Sequence, residues 1–268
     1  MILTSTFLHK LDLDGIPSLT SFPADGLPTS LKSLVIVDCV NLEFLPPKTW
    51  SNYTSLVTLE LQNSCDGLVS HWMVSLHSKN FPLTIALISL PQRMETLTTL
   101  QSLYIYDCDA LGSLPGLDTL TSLKRLSLDS PQELMLSFSE GHCLPSNLQS
   151  IVIESMRITM PPMTEWGLQR LNALSRLTIG GDDDMVNTLL KEPLLPISLV
   201  HLSISNLSAT KSLEGNGLRH LSSLETLSFS DCSELESLSK DMFPSTLKSL
   251  SFGDCSALES LSEDTLPS

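Results

Sequence analysis

Apolar residues along this chain follow two periods at once. Within short segments they alternate with polar residues, as in Leu100-Gln-Ser-Leu-Tyr-Ile-Tyr-Asp-Cys108, and the segments themselves return at intervals of 23 to 26 residues. Alternation with a period of two marks an extended strand with one buried face. In the quoted segment it turns Leu103 and Ile105 inward and Ser102, Tyr104 and Tyr106 outward. The most faithful pair is Leu224-Glu-Thr-Leu-Ser-Phe-Ser-Asp-Cys-Ser-Glu-Leu-Glu-Ser-Leu238 and Leu247-Lys-Ser-Leu-Ser-Phe-Gly-Asp-Cys-Ser-Ala-Leu-Glu-Ser-Leu261, offset by 23 residues. Self-similarity at such a period specifies stacked structural units, each burying its apolar face against its neighbours.

The first leucine of each unit falls at Leu8, Leu31, Leu56, Leu100, Leu123, Leu148, Leu174, Leu199, Leu224 and Leu247. Successive spacings are 23, 25, 44, 23, 25, 26, 25, 25 and 23. The grammar L-x-x-L-x-L-x-x-C-x-x-L is that of a leucine-rich repeat. The predicted fold is an α/β solenoid, a leucine-rich-repeat horseshoe. Its parallel β-sheet lines the concave face, and its convex returns are mostly irregular and poor in helix. Proline and short span keep ordinary helices out of returns such as Ser239-Lys-Asp-Met-Phe-Pro-Ser-Thr246; exceptions are expected near Trp166–Leu174 and Met185–Lys191. No composition break divides the chain, so residues 1–268 read as one leucine-rich-repeat domain of about ten recognisable repeats. The spacing of 44 places an irregular unit or loop at about residues 69–95.

Cysteine sharpens the repeat. Cys39, Cys108, Cys232 and Cys255 occupy the ninth position of their units, Cys65 misses it by one, and Cys143 lies in a return. A thiol where the chain turns off the sheet can serve neighbouring backbone groups as a weak donor. There are no C-x-x-C pairs to hold a metal, and one thiol per repeat is a poor disulfide framework. Reduced thiols, no basic leader ahead of an apolar run and no apolar stretch of membrane length point to the cytoplasm. The formal net charge of −15 disfavours nucleic acid and favours basic partners.

The Cys-bearing motif followed by Leu111-Gly-Ser-Leu-Pro115, Leu42-Glu-Phe-Leu-Pro46 or Leu235-Glu-Ser-Leu238, with the connector Phe243-Pro-Ser-Thr-Leu-Lys-Ser-Leu250, is narrower than the general repeat. It resembles the C-terminal repeats of plant intracellular nucleotide-binding leucine-rich-repeat disease-resistance proteins of the coiled-coil class. Leu189-Leu-Lys-Glu-Pro-Leu-Leu-Pro-Ile-Ser-Leu199 and Gly215-Asn-Gly-Leu-Arg-His-Leu-Ser-Ser-Leu224 are similar to legume members in particular. The resemblance implies a module that recognises a pathogen effector, or a host protein the effector alters, and holds a nucleotide-binding switch off. No G-x-x-x-x-G-K-[ST] occurs in the chain, so no nucleotide-binding domain is expected within it. The first repeat begins at once, and Leu266-Pro-Ser268 repeats the lead-in Phe243-Pro-Ser245, the reading expected of a fragment.

Outward strand positions, the fifth and seventh of each unit, would meet a partner. In the first six units they supply Asp12, Asp14, Val35, Val37, Glu60, Gln62, Tyr104, Tyr106, Asp129 and Glu154, a varied, acidic and partly aromatic set. From Thr178 onward the same positions carry Ser, Thr and Gly. Tyr104 and Tyr106 are the expected anchors, because tyrosine contributes much of the binding energy at interfaces. Glu60, Asp129 and Glu154 would select a basic protein ligand. The aspartates Asp38, Asp107, Asp231 and Asp254 recur ahead of the cysteine and read as turn formers. The run Asp182-Asp-Asp184 reads as a solvated turn.

No catalytic signature, cofactor motif or metal-ligand spacing is present, so the chain is not expected to be an enzyme. Two other binding roles are open to a leucine-rich-repeat chain. A substrate-recruiting domain of a ubiquitin ligase needs an F-box-like segment. A secreted receptor ectodomain needs a leader, paired cap cysteines and the Asn-based repeat grammar.

Overall fold

The computed structural model describes residues 7–23, 26–43, 45, 49–64, 88–89, 96–108, 111–115, 117–129, 134–137, 144–154, 158–159 and 163–258. Apart from 88–89, the irregular stretch expected at 69–95 lies outside these residues, as do Cys65 and Cys143. In chain order the first strands are β1 (Lys10–Asp14), β2 (Ser33–Val37), β3 (Thr58–Gln62), β4 (Ile88–Ser89), β5 (Ser102–Tyr106), β6 (Leu111–Pro115), β7 (Arg125–Asp129) and β8 (Leu134–Ser137). They are followed by β9 (Ser150–Ile153), β10 (Ile158–Thr159), β11 (Arg176–Gly180), helix α1 (Asp183–Lys191) and β12 (His201–Ser205). The last strands are β13 (Ser212–Leu213), β14 (Thr226–Ser230), β15 (Ser237–Leu238) and β16 (Ser249–Gly253).

The main sheet of this leucine-rich-repeat solenoid has ten strands, all parallel, and the chain falls into two compact units. One comprises Met1–Pro145 with Arg157–Met160, the other Ser146–Met156 with Pro161–Ser268. In the first unit β1, β2, β3, β5 and β7 lie side by side in that order. In the second the order is β9, β11, β12, β14, β16. β3 pairs directly with β5, Leu59 opposite Leu103, so the 44-residue spacing separates two neighbouring strands.

Register follows from burial. Each unit places its fourth- and sixth-position side chains inward, and like positions stack: Leu34, Leu59, Leu103 and Leu126 in the first unit, and Leu177, Leu202, Leu227 and Leu250 in the second. A slip of one residue would turn the whole ladder to solvent. Fully burying one leucine stabilises by about 1.5–3 kcal/mol, which makes the register decisive. Burial tapers at β1 and β16, where Leu11, Leu13, Leu250 and Phe252 remain partly exposed.

Two side-chain ladders finish each repeat. Position eight is left-handed wherever it is described: Gly15, Asp38, Asn63, Asp107, Gly181, Asn206, Asp231 and Asp254 all have φ between 41° and 82°. Gly, Asn and Asp adopt this conformation at low cost, and they are the residues found at these eight positions; Ser130 and Ser155 take the place in the fifth and sixth repeats, outside the described residues. The twist aims the amide at the next strand, so Asp107 N donates to Asp129 O at 2.9 Å and Asp231 N to Gly253 O at 3.0 Å. At position nine the thiols of Cys39, Cys108, Cys232 and Cys255 each donate to the carbonyl two residues back at 3.3 Å. Ser64 fills this place in the third repeat, donating to the Gln62 carbonyl at 2.6 Å and accepting from the Cys39 amide at 3.1 Å. Burial pushes the Cys232 thiol up to about 11.

The returns are mostly short turns, with 3-10 segments such as Leu117–Thr119 and Leu168–Arg170. Within the first unit, four of them also pair as a second parallel sheet, in the order β10, β8, β6, β4, and in the second unit β13 pairs with β15. Helix is confined to α1 among the described residues; the span expected near Trp166–Leu174 closes to the single 3-10 turn. The aspartate run differs from the solvated turn expected of it. Asp182 caps α1 by accepting from Met185 N at 2.9 Å. Asp183 accepts from the amides of Ser208 and Ala209 and, at 2.6 Å, from the Thr210 hydroxyl. Burial alone would raise the Asp183 carboxyl, but these bonds outweigh it and hold it below its ordinary value. Val186, Leu189 and Leu190 bury one face of α1, and the Gly217 amide closes its end on Leu190 O at 2.7 Å.

Candidate functional site

Nine of the ten predicted site residues come together on the solvent side of five neighbouring strands of the main sheet, those of the first unit. In the first unit the fifth positions form a row of Asp12, Val35, Glu60, Tyr104 and Ser127, each opposite the next. The seventh positions form a parallel row of Asp14, Val37, Gln62, Tyr106 and Asp129. Neighbouring strands are about 4.8 Å apart, so the face spans roughly 20 Å from β1 to β7. Glu154 belongs to the second unit. There its carboxylate accepts from Ser205 Oγ at 3.2 Å.

The two tyrosines lie on β5, two residues apart and therefore on the same face. Their rings stack with centroids 6.4 Å apart and planes inclined by 18°. Both are partly exposed, so each presents a ring to solvent as well as to its partner. Glu60 and Gln62 flank them on β3, Ser127 and Asp129 on β7. Val35 and Val37 form a separate apolar pair on β2, across Glu60 and Gln62 from the tyrosines.

Charge is unevenly distributed along the strands. At their starts, Lys10 pairs with Asp12 at 2.6 Å, and Arg125 donates through Nη1 to Ser102 Oγ at 2.9 Å. At their ends stand Asp14, Asp38, Asp107 and Asp129. Burial, with the charge of Asp107 added to it, pushes the Asp129 carboxyl above its ordinary value. Asp38 accepts from Asn63 Nδ2 at 2.8 Å, so this carboxylate is held in place by its ladder neighbour. Ser102, Arg125 and Asp107 were not among the predicted site residues. The first two stand at position three, which alternation also turns outward, and Asp107 was legible only as a turn residue.

The outward positions of the second unit differ in kind. Gly180 stands between Glu154 and Ser205, and a Cβ there would come within 2.5 Å of the Ser205 carbonyl oxygen. The missing side chain lets Ser205 reach Glu154 across one strand. Thr178, Ser203, Ser228, Ser230, Ser251 and Gly253 complete a face with little to grip a partner.

Carboxylates flank the stacked phenol rings on this face, and the repeat thiols are turned to backbone carbonyls. Among the described residues no group of His, Cys, Asp and Glu could hold a metal ion, and no helix is long and apolar enough to cross a membrane.

No family model matches the chain. It is 32% identical over 270 residues to the putative disease resistance protein At3g14460 of Arabidopsis thaliana, covering 88% of this chain and 19% of that protein. Disease resistance protein RPS4B of the same plant is 26% identical over 245 residues, 89% of this chain and 19% of the relative. Among solved structures, the Leptospira interrogans LRR protein LIC12759 aligns with 92% of this chain and 84% of its own, at 16% identity and a TM-score of 0.33. That likeness is loose, and the fold is read from the repeat and its strand register instead. The chain is therefore a leucine-rich-repeat solenoid, similar along nearly nine-tenths of its length to plant disease resistance proteins, of which it spans about one fifth.

Proposed function

We propose that this chain is the protein-recognition module of a plant innate-immune receptor, acting in the cytoplasm, and that its partner docks on the outward face of β1, β2, β3, β5 and β7. The partner is a pathogen effector or a guarded host protein with a basic surface. In a full-length receptor, the same repeats would also rest against a nucleotide-binding domain and hold it inactive. Residues 1–268 would act as one repeat domain.

The observation that carries this reading is the strand register. It sets the stacked Tyr104–Tyr106 pair on the fourth of the five strands, flanked by Glu60 and Gln62 on one side and Asp129 on the other. Aromatic anchors inside a charged rim are what a protein interface needs. A sheet face rather than a cleft also favours binding over catalysis. The test is calorimetric titration of the chain with an arginine- and lysine-rich peptide and with an acidic peptide of equal length. The expected result is binding of the basic peptide alone, weakening as salt is raised. Equal binding of both, or affinity indifferent to salt, overturns the reading.

A further inference from the structure

We infer that the end of this face beside Tyr106 is an arginine-reading subsite: a guanidinium from the partner lies against the Tyr106 ring and is held by the carboxylates of Asp129 and Asp107. The inference rests on the recognition face proposed above and names the side chain that it reads.

Three independent features converge there. The strand register sets Tyr106 opposite Asp129, one strand spacing away, so ring and carboxylate border the same patch of solvent. Asp107 follows Tyr106 directly and is fixed in the left-handed region at φ 48°, its amide donating to the Asp129 carbonyl at 2.9 Å. The two aspartates are thus tied together by the backbone, and their mutual repulsion is built in. It shows in the carboxyl of Asp129, which burial and the Asp107 charge both push upward. None of the ion pairs among the described residues includes either aspartate. The nearest cation on the same strand face, Arg125, is four residues back along β7, about 13 Å for extended chain, and its Nη1 is given to Ser102.

A cation arriving from outside relieves this arrangement; a neutral or acidic group does not. Between the two cationic side chains the geometry favours arginine. A planar guanidinium can stack on an aromatic ring while offering N–H groups to two carboxylates, whereas an ammonium presents a compact, strongly hydrated point charge. Tyr104, stacked on Tyr106, extends the ring surface on which the aliphatic stem of the arginine can lie.

The experiment is an NMR titration of the full chain with N-acetyl-arginine amide, and then with its lysine and citrulline counterparts. Citrulline keeps the shape and loses the charge. The expected result is saturable shifts centred on Tyr104, Tyr106 and Asp129, with arginine tighter than lysine by about three-fold, the size of an exposed cation–π contact, and citrulline silent. Asp129→Asn and Asp107→Asn should each weaken arginine binding by about three-fold, as removal of a solvent-accessible ion pair does. Asn is safe at 107 because Asn63 and Asn206 occupy the same left-handed position, and the amide spectrum reports retention of the fold. Shifts centred elsewhere, equal response to arginine and citrulline, or unaltered binding by both variants overturns the inference. If arginine amide fails while the basic peptide still binds through the tyrosines, the subsite falls and the recognition face stands; if neither binds, both fall.

Discussion

Position eight of the repeat gives a substitution series in which conformation and side-chain chemistry can be separated. Asp231 has φ 54°, its side chain is exposed, and its amide donates to Gly253 O at 3.0 Å. If the left-handed backbone selects the residue, the carboxylate itself matters little. An L-residue without a local polar group costs about 1–2 kcal/mol in this region, and a β-branched one more. Asp tolerates the region better, so Asp231→Ala should lose about 1 kcal/mol and Asp231→Val about 2 kcal/mol. Asp231→Gly should be near neutral, because relief of strain is offset by the extra freedom glycine gives the unfolded chain. Asp231→Asn should also be neutral. Urea unfolding followed by circular dichroism measures the series as shifts in midpoint at constant slope. A Gly variant as damaged as the Ala variant would refute the reasoning, since the carboxylate and not the backbone would then be what the position requires.

Three further outcomes follow from the same geometry. Gly180→Ala should cost about 1–3 kcal/mol, because its Cβ meets the backbone of Ser205, which cannot give; Gly253→Ala, the same repeat position with nothing within 4 Å, should stay within about 0.5 kcal/mol, and equal losses in urea melts would contradict this. Asp129 has a folded-state carboxyl raised above its ordinary 3.8, so its contribution is fully present below that value and is lost as pH rises through the folded one. Asp129→Asn should therefore melt above wild type at pH 7 and converge with it in acid; a gap that does not change with pH would sink the argument. With its thiol pushed up to about 11 from 9.0, Cys232 should react with iodoacetamide at pH 8 about a hundred-fold more slowly than in the urea-unfolded chain, as peptide mapping can show, and similar rates would refute its burial.

Much of this fold can be read directly from the repeat because the leucine pattern leaves one register that buries it. The alternation around Leu103 and Ile105 is enough to turn Tyr104 and Tyr106 outward, and the 23-residue offset from Leu100 to Leu123 is enough to set Tyr106 beside Asp129. The 44-residue spacing, by contrast, leaves open whether a further unit stands between Glu60 and Tyr104. What escaped depends on reach or on backbone pairing. The Ser205–Glu154 bond crosses an intervening strand and needs Gly180 between them, which no single repeat reveals. The second sheet in the returns of the first unit is held by backbone groups, for which β4 and β10 carry no side-chain signature. Asp182–Asp184 was readable in principle: a cap with two acids in the first turn precedes Val186, Leu189 and Leu190 at helical spacing. Where it is described, position eight alternates among Asp, Asn and Gly, and the left-handed backbone is what those three have in common.

The central claim is that recognition belongs to the varied outward face of the first unit and not to the Ser-rich face of the second. It is tested most directly by measuring the affinity of the basic peptide for Tyr104→Ala/Tyr106→Ala and for the control Ser228→Ala/Ser230→Ala, with circular dichroism confirming that both stay folded. The account predicts a loss of about 2 kcal/mol or more for the tyrosine pair and an unchanged Kd for the serine pair. Undiminished affinity in the tyrosine variant, or a loss confined to the serine variant, would contradict it.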